Sequence, residues 1–140
     1  MGRSRRTSIL AAGGIIVRHN SRAVIAIVQR KRDNAWVLPK GKIKSNEKPI
    51  AAAKREAMEE TGSAVSVYEF LGVISYPSGD TPKIAHFWRM QAKGKAANIL
   101  TDDIKSVEWL PLSRAIERLS LTPEQCFLRN VGRYAFRRTL

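Results

Sequence analysis

Largely apolar positions open the chain as two β-rich runs, Ile9 to Arg18 and Ala23 to Arg30. The turn-forming cluster His19-Asn20-Ser21-Arg22 parts them, a pattern that predicts a hairpin. Trp36-Val37-Leu38 predicts a short strand stopped by Pro39, and the lysine-rich stretch from Lys40 to Glu47 predicts a loop. A helix is expected next. Pro49 falls near its first turn, where a missing N–H costs nothing, Ala51-Ala52-Ala53 gives high helix propensity, and Gly62 supplies a C-terminal stop. Two further strands, Val65 to Ser75 and Lys83 to Ala92, are expected on either side of the loop marked by Pro77, Gly79 and Pro82. Ser106 to Leu110 predicts a last short strand and Ser113 to Leu119 a short helix. Pro123 to Arg137 predicts a longer helix with Leu128, Val131, Tyr134 and Ala135 available for a buried stripe. Strands and helices in mixed order give α/β or α+β, and pattern alone goes no further.

At 140 residues the chain fits one domain, expected over 8–140 behind a basic, mobile arm at 1–7. Charge changes the picture more. Lys and Arg number 25 against 12 Asp and Glu, a net charge of +13, which implies an anionic partner such as a polyphosphate or a nucleic acid. Cys126 is the single cysteine, so no internal disulfide can form. A reducing, cytoplasmic setting is expected, with Cys126 itself a buried apolar residue. There is no apolar run of membrane-spanning length, and Met1 to Arg6 is not followed by the apolar core of a secretory signal. A soluble protein with no membrane partner is expected, as a monomer or a homodimer.

Four of the twelve acidic residues crowd into one segment, as Glu47, Glu56, Glu59 and Glu60. On a helix Glu56, Glu59 and Glu60 stand at i, i+3 and i+4, so their carboxylates share one face. That is poor structural practice: a like-charge i,i+4 pair costs about 0.2–0.5 kcal/mol, and acids near a helix C-terminus oppose its dipole. Arg55 can pair with Glu59 or reach back to Glu47, but one guanidinium cannot neutralise the cluster. A hard divalent cation, Mg2+ or Mn2+, held by carboxylate oxygens can.

The full spacing, Gly41, Glu47, Arg55, Glu56, Glu59, Glu60 and Gly62, resembles the Nudix hydrolase signature at all seven of its defining positions. A chance match is on the order of 10⁻⁹ per window at average residue usage. Ser63 departs from the pattern, where an aliphatic residue is usual; lying past the helix, it should affect packing more than chemistry. The resemblance implies an α/β/α sandwich with a central mixed sheet, and hydrolysis of a nucleoside diphosphate linked to another group. It implies Glu56, Glu59 and Glu60 as metal ligands, Glu56 or Glu59 as base, Arg55 and Glu47 as their orienting partners, and the Gly41 carbonyl in the metal shell. It also implies a further carboxylate before Trp109, for which Asp103 is the best candidate ahead of Asp102 and Glu108.

Substrate clues are weaker. The Pro39-Lys40-Gly41 approach to the motif is similar to that of dinucleoside polyphosphate hydrolases and of some mutator-type pyrophosphatases. Lys40 and Lys42, with Arg32, Arg30, Lys31 and Lys44, are candidates to grip a phosphate chain. Tyr76, Phe87 and Trp88 are candidates for a base platform, although only one of Phe87 and Trp88 can face the site on a strand. His19 and His86 show no ligand spacing. The reading favours a dinucleoside polyphosphate. Behind it stand oxidised nucleoside triphosphates, RNA 5′ ends and inositol pyrophosphates, and the basic Arg133, Arg137 and Arg138 would suit RNA or inositol phosphates. A non-catalytic module that binds a nucleotide or nucleic acid is the alternative of another class.

Overall fold

A computed structural model describes residues 8–95 and 101–137. The basic arm at 1–7 and Arg138 lie outside the described residues. The expected hairpin is present as β1 (Ile9–His19) and β2 (Ala23–Arg30), paired antiparallel. There follow β3 (Trp36–Val37), β4 (Lys40–Lys42), α1 (Pro49–Thr61), β5 (Ser63–Tyr76), β6 (Lys83–Lys95), β7 (Ile104–Leu110), α2 (Leu112–Arg118) and α3 (Thr122–Ala135). The strands form one mixed sheet in the order β3-β2-β1-β6-β5, with β4 added to β1 and β7 to β2. Only β1 and β6 run parallel among the described strands.

The sheet separates two cores because neighbouring strand residues point to opposite faces. Ala12, Ile16, Ala26, Val65 and Met90 meet Ala52, Ala53 and Ala57 of α1. Ile15, Val17, Ile25, Ile27 and Phe87 meet Ala115, Leu128 and Ala135 of α2 and α3 on the other side. Central β1 is therefore buried on both faces from Ala11 to Val17, which is why it reads as a continuous apolar run. The small alanines let α1 lie close to the sheet and bring its last turn over the β1 and β4 backbones. Gly62 ends that helix at φ 70°, its N–H closing on the Met58 carbonyl at 2.9 Å.

Three expectations are corrected. The stretch expected as a loop from Lys40 begins with a strand, because Lys40, Gly41 and Lys42 pair with Gly13, Ala12 and Ala11 of β1. Cys126 is exposed rather than buried, since it lies on the outer side of α3. Tyr134 is 63% exposed and does not belong to the apolar stripe. The stripe runs through Glu124, Leu128, Gly132 and Ala135 instead. No helix of the described residues is long and apolar enough to cross a membrane.

Candidate active site

The last turn of α1 and the short β4 strand face one another, and the acidic cluster forms where they meet. Glu60 is buried at 8% exposure, its Oε1 accepting the Lys40 N–H at 3.1 Å. Glu56 lies one turn earlier with its carboxylate packed on the Gly41 Cα. A Cβ added at Gly41 would stand 2.1 Å from the Glu56 carboxyl carbon, so only glycine leaves that space to the carboxylate. Arg55 clasps the cluster from the side. Its Nε and Nη2 donate to Glu47 at 2.8 and 3.0 Å, and its Nη1 donates to Glu56 at 2.8 Å and Glu59 at 3.3 Å. Its Nη2 also donates to the Lys42 carbonyl at 3.1 Å, tying helix to strand.

The environment drives the carboxylates apart in acidity. Burial, reinforced by the Glu56 charge and only partly opposed by Lys40, pushes Glu60 up to about 8. Burial also raises Glu56, against the pull of Arg55. The Arg55 hydrogen bond and the Lys44 N–H hold Glu47 down at about 2. One buried carboxylate, Glu60, and one half-buried carboxylate, Glu56, thus stand close enough for the charge of Glu56 to raise Glu60 further.

Glu56, Glu60 and Gly41 line a cavity of about 650 Å3 with Arg30, Lys31, Arg32, Val37, Lys40, Lys42, Lys83, Asp103 and Ile104. The structure thus brings together Glu56, Glu60, Gly41, Asp103, Lys40, Lys42 and Arg32 from the sequence expectations. Glu59 is 38% exposed and lies on an adjoining surface, while Glu47 reaches the cluster only through Arg55. Asp103 also caps its own turn, accepting from the Thr101 hydroxyl at 3.3 Å while its backbone carbonyl accepts the Lys31 N–H at 2.9 Å. Glu108 is taken up by Arg118 at 2.6 Å. Among the described residues no three His, Cys, Asp or Glu side chains are gathered into an assembled metal site, and the Arg55 guanidinium bonds both Glu56 and Glu59. The donor set nonetheless fits a hard divalent cation: the buried Glu60, the half-buried Glu56, the acidic Asp103 on the rim and the cleft kept open at Gly41.

Four substrate-contact expectations are corrected. Phe87 is fully buried against Phe127 in the core beneath α2 and α3 and presents no platform. Tyr76 is buried at 7% exposure, with its hydroxyl donating to Glu124 Oε2 at 2.7 Å. The Lys40 ammonium also turns inward, to Glu124 Oε2 at 2.7 Å and to the Leu38 carbonyl at 3.2 Å. Trp88 faces the opposite side of the sheet, edge-on to Phe70 and beside His86, away from the cavity. No aromatic side chain lines the cavity among the described residues.

Lys83 escaped the sequence reading. It begins β6, lines the cavity and forms no side-chain ion pair among the described residues. Burial, with the charges of Lys40, Arg32 and Arg30, lowers it to about 8. A lysine opening a strand directly after a Pro- and Gly-bearing loop was the available signal.

A family model described as the NUDIX domain matches residues 7–130. The 8-oxo-(d)GTP phosphatase of Mycolicibacterium smegmatis is 29% identical over 132 residues, 87% of this chain and 41% of that protein. The chain therefore spans less than half the length of this curated relative. Among solved structures, a C. elegans Ap4A hydrolase in a binary complex aligns with a TM-score of 0.76 at 23% identity, covering 90% of this chain and 96% of that one. The NUDIX domain of Shewanella oneidensis NrtR complexed with ADP ribose aligns at 0.75 and 15% identity, over 94% and 90%. These likenesses establish the shared fold, and with the matched family model they show that this chain belongs to the Nudix family.

Proposed function

We propose that this domain is a Nudix pyrophosphohydrolase that cleaves a diphosphate linkage in a polyphosphorylated nucleotide, with a dinucleoside polyphosphate as the favoured substrate. One observation carries the reading. A single cavity joins the buried Glu60 and the half-buried Glu56 to four cations, Lys31, Arg32, Lys42 and Lys83, that form no side-chain ion pair among the described residues, and no aromatic side chain of the described residues lines it. Such a cavity suits a ligand recognised by its phosphates more than by its base. It suits a long phosphate bridge best.

Glu56 and Glu60 would hold Mg2+ or Mn2+, with the Gly41 carbonyl and Asp103 beside them. The bound ion supplies charge neutralisation and an acidified water. This chain's own residues supply the rest. Arg55 fixes the Glu56 rotamer through Oε2, and Glu47 in turn fixes Arg55. Of the two base candidates, Glu56 faces the cavity and Glu59 does not, which favours Glu56 as the proton acceptor. Lys42, Arg32 and Lys83 would hold the phosphates in line for attack, where positioning is the larger part of phosphoryl-transfer catalysis.

Similarity to the mycobacterial 8-oxo-(d)GTP phosphatase over 87% of the chain supports a second reading, an oxidised-nucleotide pyrophosphatase. A panel tests both: diadenosine tetraphosphate, oxidised and normal dNTPs, nucleotide sugars, a triphosphorylated RNA and an inositol pyrophosphate, each with Mg2+ and with chelator. Chelator-sensitive turnover that is fastest for diadenosine tetraphosphate supports the first reading. Preference for the oxidised dNTP over the normal one selects the second. An inactive panel with retained nucleotide binding would leave a binding module.

A further inference from the structure

Glu124 is the only acidic residue of α3, and it is fully buried at the third position of that helix. Three donors converge on it. Leu38 N–H reaches Oε1 at 2.9 Å, while the Lys40 ammonium and the Tyr76 hydroxyl each reach Oε2 at 2.7 Å. Leu38 and Lys40 flank Pro39, and the next backbone groups are those that touch the acidic cluster: the Lys40 N–H on Glu60 and Gly41 against Glu56. Strand β1 closes in as well. A Cβ at Gly13 would stand 2.1 Å from the Pro39 carbonyl oxygen and 2.6 Å from Lys40 Cβ. The segment from Leu38 to Gly41 is therefore held both by β1 and by the Glu124 carboxylate.

Stability alone is a poor reason for this arrangement, because a buried ion pair is commonly no more stabilising than apolar side chains of equal volume. What a fully satisfied network does supply is a unique placement of the groups it binds. We infer that Glu124 is a positioning residue of the active centre. Through Leu38 and Lys40 it fixes the backbone that carries the Lys40 N–H to Glu60 and Gly41 to Glu56, and it keeps the Lys40 ammonium inside the fold rather than on substrate phosphates. The inference rests on the proposed hydrolase reading only in its turnover arm.

The test is a double-mutant cycle in the full chain with Glu124→Gln, Lys40→Met and the pair together, plus Glu124→Asp, which keeps the charge and shortens the reach. Each is measured for thermal midpoint, for Mn2+ affinity by paramagnetic titration, and for kcat and KM on diadenosine tetraphosphate or the best-turned-over member of the panel. Glu124→Gln is expected to weaken Mn2+ binding and lower kcat by about 10-fold or more, with KM within about twofold at temperatures where the variant is folded. Lys40→Met should add little to that loss, and Glu124→Asp should recover part of it. If Glu124→Gln does not fold, Glu124→Asp decides by the same readouts.

Unchanged Mn2+ affinity and kcat in a folded variant would overturn the inference and leave Glu124 a core residue only. So would additive losses in which Lys40→Met raises KM most for the longest phosphate chain, since Lys40 would then serve the substrate. A wild-type chain that binds Mn2+ but turns nothing over would remove the hydrolase reading. The Mn2+ titration would then decide the positioning role alone.

Discussion

Glu60 is ionised only at some expense, because the fold leaves it little water and sets Glu56 beside it. Its raised acidity constant gives the sign of its effect on stability. A carboxyl held up at about 8 against an ordinary 4.5 has its full stabilising contribution below 4.5 and loses it as pH rises through 8. Glu60→Gln keeps the shape and the acceptor for the Lys40 N–H while removing that charge. We therefore expect turnover to fall by about 100-fold or more, with a thermal midpoint at pH 8 in chelator equal to or above that of the parent. A sharply lower midpoint would make Glu60 a structural charge. Lys83 poses the complementary case, a cation facing the cavity with no ion-pair partner among the described residues. Losing one charge-assisted contact to phosphate is worth about 1.5–3 kcal/mol, so Lys83→Ala should lower kcat/KM by about 10–100-fold, mainly through KM. The loss should be greatest for the longest phosphate bridge. Equal losses on every member of the panel would place Lys83 outside the phosphate path.

At the scale of elements, α1 was legible because it is locally self-consistent: Pro49 at its start, alanines on the buried face and Gly62 at its end agree with one another. β4 was not, because three residues that pair only with a distant strand carry no local signal, and two of them are lysines. Alternation on β6 correctly separated Phe87 from Trp88, but which face receives the helices and which adjoins the cavity depends on sheet order, a nonlocal property. In α3 a polar residue misled the reading. Glu124 occupies the stripe position that an apolar residue would normally hold, so the apolar pattern points to Tyr134 where the buried residue is Gly132. A carboxylate in register with Leu128 and Ala135 was the overlooked sign of a buried network. The clasp between α1 and the strand-to-helix connection yields a pH prediction of its own. Arg55 holds Glu47 down at about 2, so the stability Glu47 contributes is complete above its unfolded value near 4.5 and is lost as pH falls through 2. Urea midpoints measured from pH 6 to pH 2.5 should fall less steeply for Glu47→Gln than for the parent. Parallel curves would show that Glu47 and Arg55 are not coupled in the folded chain.

For the molecule as a whole, a net charge of +13 acts on an anionic substrate in two separable ways. Cavity cations touch it, whereas the rest of the surface attracts it from a distance, and salt distinguishes the two because the Debye length falls from about 10 Å at 0.1 M to about 3 Å at 1 M. The exposed side of α3 offers a control. Arg129 and Arg133 on α3 and Arg137 just past its end gather beside Tyr134, and none of them lines the cavity. Replacing all three with Gln should reduce kcat/KM for diadenosine tetraphosphate only at low ionic strength, by a few-fold, and leave kcat untouched. In 0.5 M salt the triple variant should match the parent, while the Lys83→Ala defect persists because a desolvated contact is screened far less than an open surface charge. A triple variant still impaired in 0.5 M salt would mean that α3 contacts the substrate directly. The ligand would then extend well beyond the cavity at the end of α1, as a polymer would and a dinucleotide would not.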